Sequence, residues 1–575
     1  MKSDTLYYKL LKEYCDGLIA LQYKGEDPAF RGGIWCRSCK TIHGRCPDGV
    51  FAFTEMYKLT REEKYLAAAQ SVFDYGDNLL CTDGGLYNDA QTTWRYTTVF
   101  HLIAVAEAYE AGVGILPEPF MAKLHVRAKQ NAAWLYENLD EHSPANINYC
   151  TTNGLALLLA GRLLGEAKYL QKAAGLAEYA AGHITENNLL YGECKPHGTR
   201  SARGCVAVDI GYNVEESVPA LVKYACIAGD ENLLTKLEKV LKSHLDFMFP
   251  DGGWDNSFGV RNNKWTYWGS RTSDGCASAY LLMAERDPAF AEAALRNTEL
   301  LARCTRGGLL YGGPDYEKHG EYACTHHTFE HANAFAFVLE KIEEKYLQPK
   351  RAQIPADRAV GVRYYPEIAT YKLACGEFLA TVTNYDFDVP FSAHASGGTL
   401  TALYHKKTGP MIMASVSDYV LVEPTNMQQV KDRRHHRPLT PRFAAEKEGK
   451  TYFSSWYTEA EITQKENTVY VKTGLADAAC HALSGYAPSI CYTLGKDGME
   501  IEIENAAGLQ FILPLIRGKA EIKAGKIIKQ EKIFFLTGGF IAEESTLVSD
   551  ESGRIIFHIY AEQERAQCTN FTENG

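Results

Sequence analysis

A chain of 575 residues, 46% apolar and 23% charged, reads as an ordinary globular protein too long for the roughly 250–300 residues that one hydrophobic core supports. At least two domains are therefore expected. Its net charge of -11, with no lysine-rich arm, argues against a nucleic-acid partner, and without a run of about 18 apolar residues no membrane partner is expected either.

The chain opens MKSDTLYYKLLKEYCDGL, polar and acidic where a secretory signal would be apolar, so no signal peptide is expected. Sixteen cysteines at no regular spacing fit the reduced thiols of a cytoplasmic enzyme better than a disulfide scaffold. Cys36-x2-Cys39, with Cys46 beyond it, is a zinc-like pair lacking the second pair a structural site requires, so neither metal nor cofactor is expected.

Along the chain, amphipathic stretches recur as helical hairpins. Clear copies begin at Asp48-Gly49, Asn153-Gly154, Glu216 and Asp274-Gly275, and a less regular one covers about 97–139. The stretches at about 5–24 and 328–346 each lack a sequential partner; pairing them closes a ring of six hairpins, an (α/α)6 toroid over 1–350. Every long loop then leaves an outer helix and enters an inner one, so all of them gather at one mouth. After a Pro-containing connector near 353–363 the pattern changes to short alternating runs such as EFLATVTNY, GTLTALYH, TVYVKTG and MEIEIEN, which reads as an antiparallel β-sandwich domain over 358–575.

The mouth loops carry the chemistry. Asn88, Trp94 and Arg95 come from the second loop, and Asn146, Asn148, Tyr149 and Asn153 from the third; Asn148 is suited to a carboxylate or a hydroxyl, while Asn153 reads equally as a helix cap. The loop Gly192 to Glu216 contributes His197, Asp209, Tyr212, Glu215 and Glu216, its acids reading either as caps or as catalytic carboxylates. The next loop, from Asp251 to Asp274, holds Trp254, Asp255, Arg261, Trp265, Tyr267, Trp268, Arg271 and Asp274: aromatic faces for sugar rings and guanidinium groups for carboxylates. CTHHTFEH adds His326, His327, Glu330 and His331. Its His327-x-x-Glu330-His331 formally matches an inverted zincin motif, but a peptidase would not need the surrounding aromatic and arginine loops. In the β domain the basic run Lys431 to Arg437, with Arg433, Arg434 and His435, is either a solvated loop or one that reaches over the mouth toward an anionic substrate.

Together, GYNVEES, WDNSFGVRNNKWTYWGSRTSDG, CTHHTFEHA and GGTLTALYHKKTGPMIMAS resemble the heparinase II/III and alginate lyase group of toroid enzymes, to which the β-glucuronidases of glycoside hydrolase family 154 are also similar. The resemblance implies action on uronic-acid-containing oligosaccharides. A lyase would neutralise the uronate with Asn, Arg or His and take its C5 proton with Tyr or His, for which Asn148, Tyr212, Tyr267, Arg271, His326 and His327 are available. The Asn-Asn-His of several toroid lyases is replaced here by Asn146-Ile147-Asn148-Tyr149. The supply of mouth carboxylates turns the expectation to an exo-acting β-glucuronidase, with Glu216 and Asp274 as acid and base and Asp209, Glu215 and Asp255 close behind. Tyr212 and His327 complete the catalytic set, and Arg271, His327 and Arg433 to Arg437 would hold the uronate. The alternatives are a lyase, and after it a sugar epimerase or a glycan-binding protein. A homodimer is the favoured assembly.

Overall fold

In a computed structural model of the protein, the residues described are 2–88, 93–144, 146–194, 198–261, 274–314, 317, 322–387, 395–414, 439–526, 529–537 and 540–562. Helix α1 (Leu6–Ala20) is capped by Thr5, whose hydroxyl accepts from the amide of Tyr8. Then come α2 (Val50–Thr60) with α3 (Glu63–Tyr75), α4 (Thr98–Gly112) with α5 (Glu118–Asn138), and α6 (Ile147–Leu164) with α7 (Ala167–Ala181). The short α8 (Ile210–Tyr212) precedes α9 (Val218–Ala228) and α10 (Glu231–His244); α11 (Ala277–Leu282), α12 (Pro288–Cys304) and α13 (Thr325–Lys341) follow.

Helices α2, α4, α6, α9, α11 and α13 pack side by side, and α13 returns to α2, which closes an inner ring. Each inner helix is backed by an outer one, with α1 lying on α13 as ring closure requires. The burial patterns explain the two layers. Inner α6 is buried from Ile147 to Leu158 without a break, whereas outer α10 buries one stripe led by Leu233, Leu234, Leu237, Val240 and Leu241.

Three inner helices start elsewhere than their sequence signals suggest. Helix α6 begins six residues before Asn153, because Thr151 and Thr152 turn their hydroxyls back onto the carbonyl of Asn148 and so tolerate a helical interior. Before α9 stands a π-helical turn, Asn213–Ser217, and α11 begins at Ala277, past Asp274-Gly275.

Past two short helices, α14 (Glu344–Leu347) and α15 (Pro355–Arg358), the chain becomes antiparallel β structure from Gly361 onward. A five-stranded meander over 361–413 comes first, followed by a five-stranded and a six-stranded sheet. In the meander Leu379, Ala402, Tyr404 and Met413 join the toroid core, while Leu373, Ala380, Leu403 and Ile412 join the β core. Its central strand Phe378–Thr383 is buried throughout for that reason. Farther out, Met499–Glu504 alternates buried and exposed residues as a one-sided strand does. Among the described residues no helix is long and apolar enough to cross a membrane.

Candidate active site

One wall of the mouth is built where α6 meets the π turn. Asn148, near the start of α6, donates from Nδ2 to Glu216 Oε2 at 2.8 Å, and its backbone amide donates to Glu193 Oε1 at 3.2 Å. Adjacent residues on a regular helix diverge by about 100°. The π turn widens the helix so that Glu215 and Glu216 both line the cavity beneath the mouth. Fully buried Glu193 also accepts from Ser217 at 3.4 Å and from Arg261 at 3.4 Å. The Arg261 guanidinium lies 4.0 Å from the centre of the Tyr212 ring. Next to Asn148 on α6, Tyr149 accepts from the indole of Trp94 at 3.2 Å, and Trp94 remains 41% exposed at the rim.

The opposite wall comes from the segment before α2 and from the start of α13. Arg45 bonds Asp48 at 2.6 Å and also pairs with Glu330. Glu330 in turn faces His326 at 3.2 Å, and His326 stacks on His43 with ring centres 5.2 Å apart. Behind them His101 bridges Asp48 and Arg127, at 3.2 Å from each, and carries the network to the outer layer. His331 bonds the carbonyl of His327 through Nδ1 at 2.8 Å and faces Glu215 through Nε2 at 3.0 Å. A carbonyl at Nδ1 and a carboxylate near Nε2 both favour the charged form of the ring. Burial opposes that charge, but the Glu215 carboxylate prevails and the His331 pKa is raised. Gly275 makes room for the ring, since a Cβ there would stand 2.9 Å from it. Glu215, His327 and His331 bring ligand atoms within 4.8 Å of one another, which makes them a set that can hold a metal ion.

The cavity between the walls, about 90 Å³, is lined by Glu215, Glu216, His326, His327, Glu330 and His331. Burial pushes Glu193, Glu216 and Glu330 up to about 7; Arg261 opposes this at Glu193, the Asn148 amide at Glu216 and Arg45 at Glu330. Near neutral pH the mouth therefore holds carboxyls that are partly protonated beside amide, imidazole and guanidinium donors.

Several residues expected at the mouth have other partners. Asp255 is fully buried against the β domain, bonded to Lys372 at 2.6 Å, Thr381 at 2.5 Å and Ser257 at 2.5 Å. Asp209 caps α8 by accepting from the Tyr212 amide at 2.8 Å. Asp274, fully buried, accepts from Asn256 at 3.2 Å, while its carbonyl accepts from Asn297 at 2.8 Å. Arg95 pairs with Asp83 at 2.7 Å on the outer rim. His197, Trp265, Tyr267, Trp268, Arg271, Arg433, Arg434 and His435 lie outside the described residues. Sequence reading passed over Glu193, Arg45 and His43. The i, i+3 pair Arg45 and Asp48, just before an inner helix, was the available signal for one of them.

The Ulvan lyase N-terminal domain profile matches residues 11–357, and that of the Ulvan lyase C-terminal domain matches residues 362–544. A broad-specificity ulvan lyase of Formosa agariphila is 35% identical over 540 residues, covering 90% of this chain and 83% of the relative. Among solved structures, heparinase III superposes with a TM-score of 0.53 at 14% identity, over 96% of this chain and 85% of that one. The chondroitin AC lyase of Streptomyces coelicolor A3 gives 0.52 at 11% identity, over 98% and 80%. At such identities the structures testify to the fold: a helical toroid followed by antiparallel β sheets. The sequence matches overturn the expectation of a β-glucuronidase, because the family and the curated relative are lyases. With it falls the assignment of Glu216 and Asp274 as the acid and base of a glycoside hydrolase. Mouth carboxylates misled because acids at helix starts, such as Asp209, also serve as caps.

Proposed function

The chain belongs to the ulvan lyase family, and on that premise we propose that it depolymerises a uronate-containing polysaccharide by β-elimination. Elimination removes a proton made acidic by a neighbouring carboxylate, so the sugar that is cleaved carries a uronate. The observation that carries the reading is the Asn148–Glu216 pair at 2.8 Å, in one wall with a Tyr212 ring backed by Arg261.

In this reading Tyr212, as phenolate, takes the C5 proton of the uronate, and the guanidinium of Arg261 steadies the negative charge on the phenol. The charge that develops on the sugar spreads into its carboxylate. Asn148 uses one N–H for Glu216 and has a second for that carboxylate, and Glu216 in its neutral form donates its own O–H. The C4–O bond then breaks, its electron pair stays on the leaving oxygen, and Tyr212 returns the proton to that oxygen. One fragment keeps a C4=C5 double bond, and the other gains a new hydroxyl end. Trp94, half-exposed beside Tyr149, is placed to stack on a sugar ring at the rim.

Incubation with ulvan, and in parallel with other uronate polysaccharides, tests this directly. The expected products absorb in the mid-ultraviolet through the conjugated double bond and are one water lighter than hydrolysis products by mass. Fragments that contain the added water and lack that absorbance would sink the reading.

The raised Glu216 pKa has a pH signature. Its neutral form prevails below about 7 and its charge appears above, where it repels the uronate. For the wild type, KM should therefore climb as pH rises through 7, whereas in Glu216→Gln, which stays neutral at this position, the climb should be clearly shallower, with only Glu193 and Glu330 left to charge there. A wild-type KM that stays level over this range, or the same climb in the variant, counts against this role.

A further inference from the structure

Ahead of the mouth, the chain makes an excursion between α1 and α2 that ends in a tight hairpin. Strands Trp35–Cys36 and Thr41–Ile42 pair antiparallel, with Trp35 opposite Ile42 and Cys36 opposite Thr41. The turn is closed by the Lys40 amide on the Cys36 carbonyl at 2.8 Å, with Lys40 at φ 57°. Inside the turn the amide of Cys39 donates to Cys36 Sγ at 3.3 Å. An N–H aimed at sulfur three residues back favours the thiolate and orients it, as the second shell of a metal–thiolate site does.

The third sulfur comes from far along the chain. Cys324, buried at the start of α13, has its Sγ 3.8 Å from that of Cys36 and 3.7 Å from that of Cys39. These separations are too long for a disulfide, whose sulfurs stand about 2.05 Å apart. They match the edge of a tetrahedron around zinc, since a Zn–S bond of about 2.3 Å implies an S–S edge of about 3.8 Å. The three sulfurs all lie within 4.8 Å of one another.

We propose that Cys36, Cys39 and Cys324 form a zinc site that fastens the hairpin to the N-terminus of α13. Three soft thiolates in a compact tetrahedral face select Zn²⁺ over hard, oxygen-seeking cations. Three protein ligands leave the fourth position to a solvent oxygen. The hairpin leads directly into His43, stacked on His326, and into Arg45, paired with Asp48 and Glu330. The metal thus holds one wall of the mouth in place from one turn away. Cys46 has no part in it: it is buried in the toroid core, and its thiol is held protonated by that burial.

Metal analysis of the purified full-length protein, loaded with Zn²⁺ and freed of loose ion, tests the site. About one zinc per chain is expected in the wild type, falling to near zero in Cys36→Ser and Cys324→Ser and persisting in His331→Ala. Zinc retained in both cysteine variants, or lost from His331→Ala while they keep it, would overturn the proposal and place the metal at Glu215, His327 and His331. Alkylation of the wild type gives a readout that needs no variant. A chelator should sharply speed modification of Cys36, Cys39 and Cys324, and Co²⁺ in place of Zn²⁺ should show a thiolate charge-transfer band. Rates unmoved by the chelator, or a Cys36–Cys324 or Cys39–Cys324 disulfide in the protein as purified, would equally overturn it. None of these measurements depends on which glycan the mouth cleaves.

Discussion

Tyr212→Phe is expected to lower kcat by about 10²–10⁴-fold, the span typical of a positioned proton-transfer group. KM should stay near its wild-type value. The substitution removes one oxygen and keeps the ring on which Arg261 lies at 4.0 Å, so the packing of that guanidinium and its 3.4 Å contact with Glu193 survive. The drop therefore belongs to kcat, and a circular dichroism spectrum like that of the wild type confirms the fold. Steady-state formation of the unsaturated product is the assay. A variant that keeps a tenth or more of wild-type kcat removes Tyr212 from the proton path and shifts the search to the imidazoles of His326 and His327, which line the cavity with Glu215 and Glu216.

Asp255→Ala should destabilise the protein by about 3–5 kcal/mol, the usual cost of stranding one partner of a buried ion pair. The carboxylate is fully buried and holds Lys372 at 2.6 Å and Thr381 at 2.5 Å, both from the β domain. Without Asp255 the Lys372 ammonium would keep Thr381 at 2.9 Å and the Phe247 and Phe249 rings, with centres 5.4 Å away, but would lose its carboxylate. The urea midpoint reports the effect. Asp255→Ala with Lys372→Met should recover much of the loss, because an apolar pair avoids the desolvation of both charges. An Asp255→Ala midpoint within error of wild type would show that the pair adds nothing to domain coupling. The pH dependence has a definite sign. Burial alone would raise the Asp255 pKa, but Lys372 and the hydroxyls outweigh it and lower it. Its contribution is thus complete above the ordinary carboxylate pKa and is lost only as pH falls through the depressed value.

Asp255 also shows where reading the chain alone goes astray. Within DGGWDNSF it stands beside Trp254 and a run of polar residues, and it reads as part of a sugar site. Only the approach of the strand that carries Lys372, 117 residues later, turns it inward. Glu193 is a similar case: it becomes a site residue because Asn148, Ser217 and Arg261 converge on it from three separate segments. The zinc-like pair at Cys36 and Cys39 was visible, but the cysteine whose sulfur stands beside both of theirs was not. Cys324 lies 285 residues beyond Cys39, and no local spacing could link them.

What the sequence determined by itself was the periodic part of this protein. Repeated amphipathic hairpins predict a toroid because an apolar stripe on each helix must find a neighbour, and the unpaired stretches at the two ends predict its closure by α1 on α13. The change to alternating short runs marks the β part in the same way. Tertiary structure alone decided which polar residues of the mouth loops face one another and which turn aside. Helical and strand periods are local properties of a few consecutive residues, whereas the partners of Asp255, Glu193 and Cys324 come from distant segments whose meeting is set by packing of the whole chain.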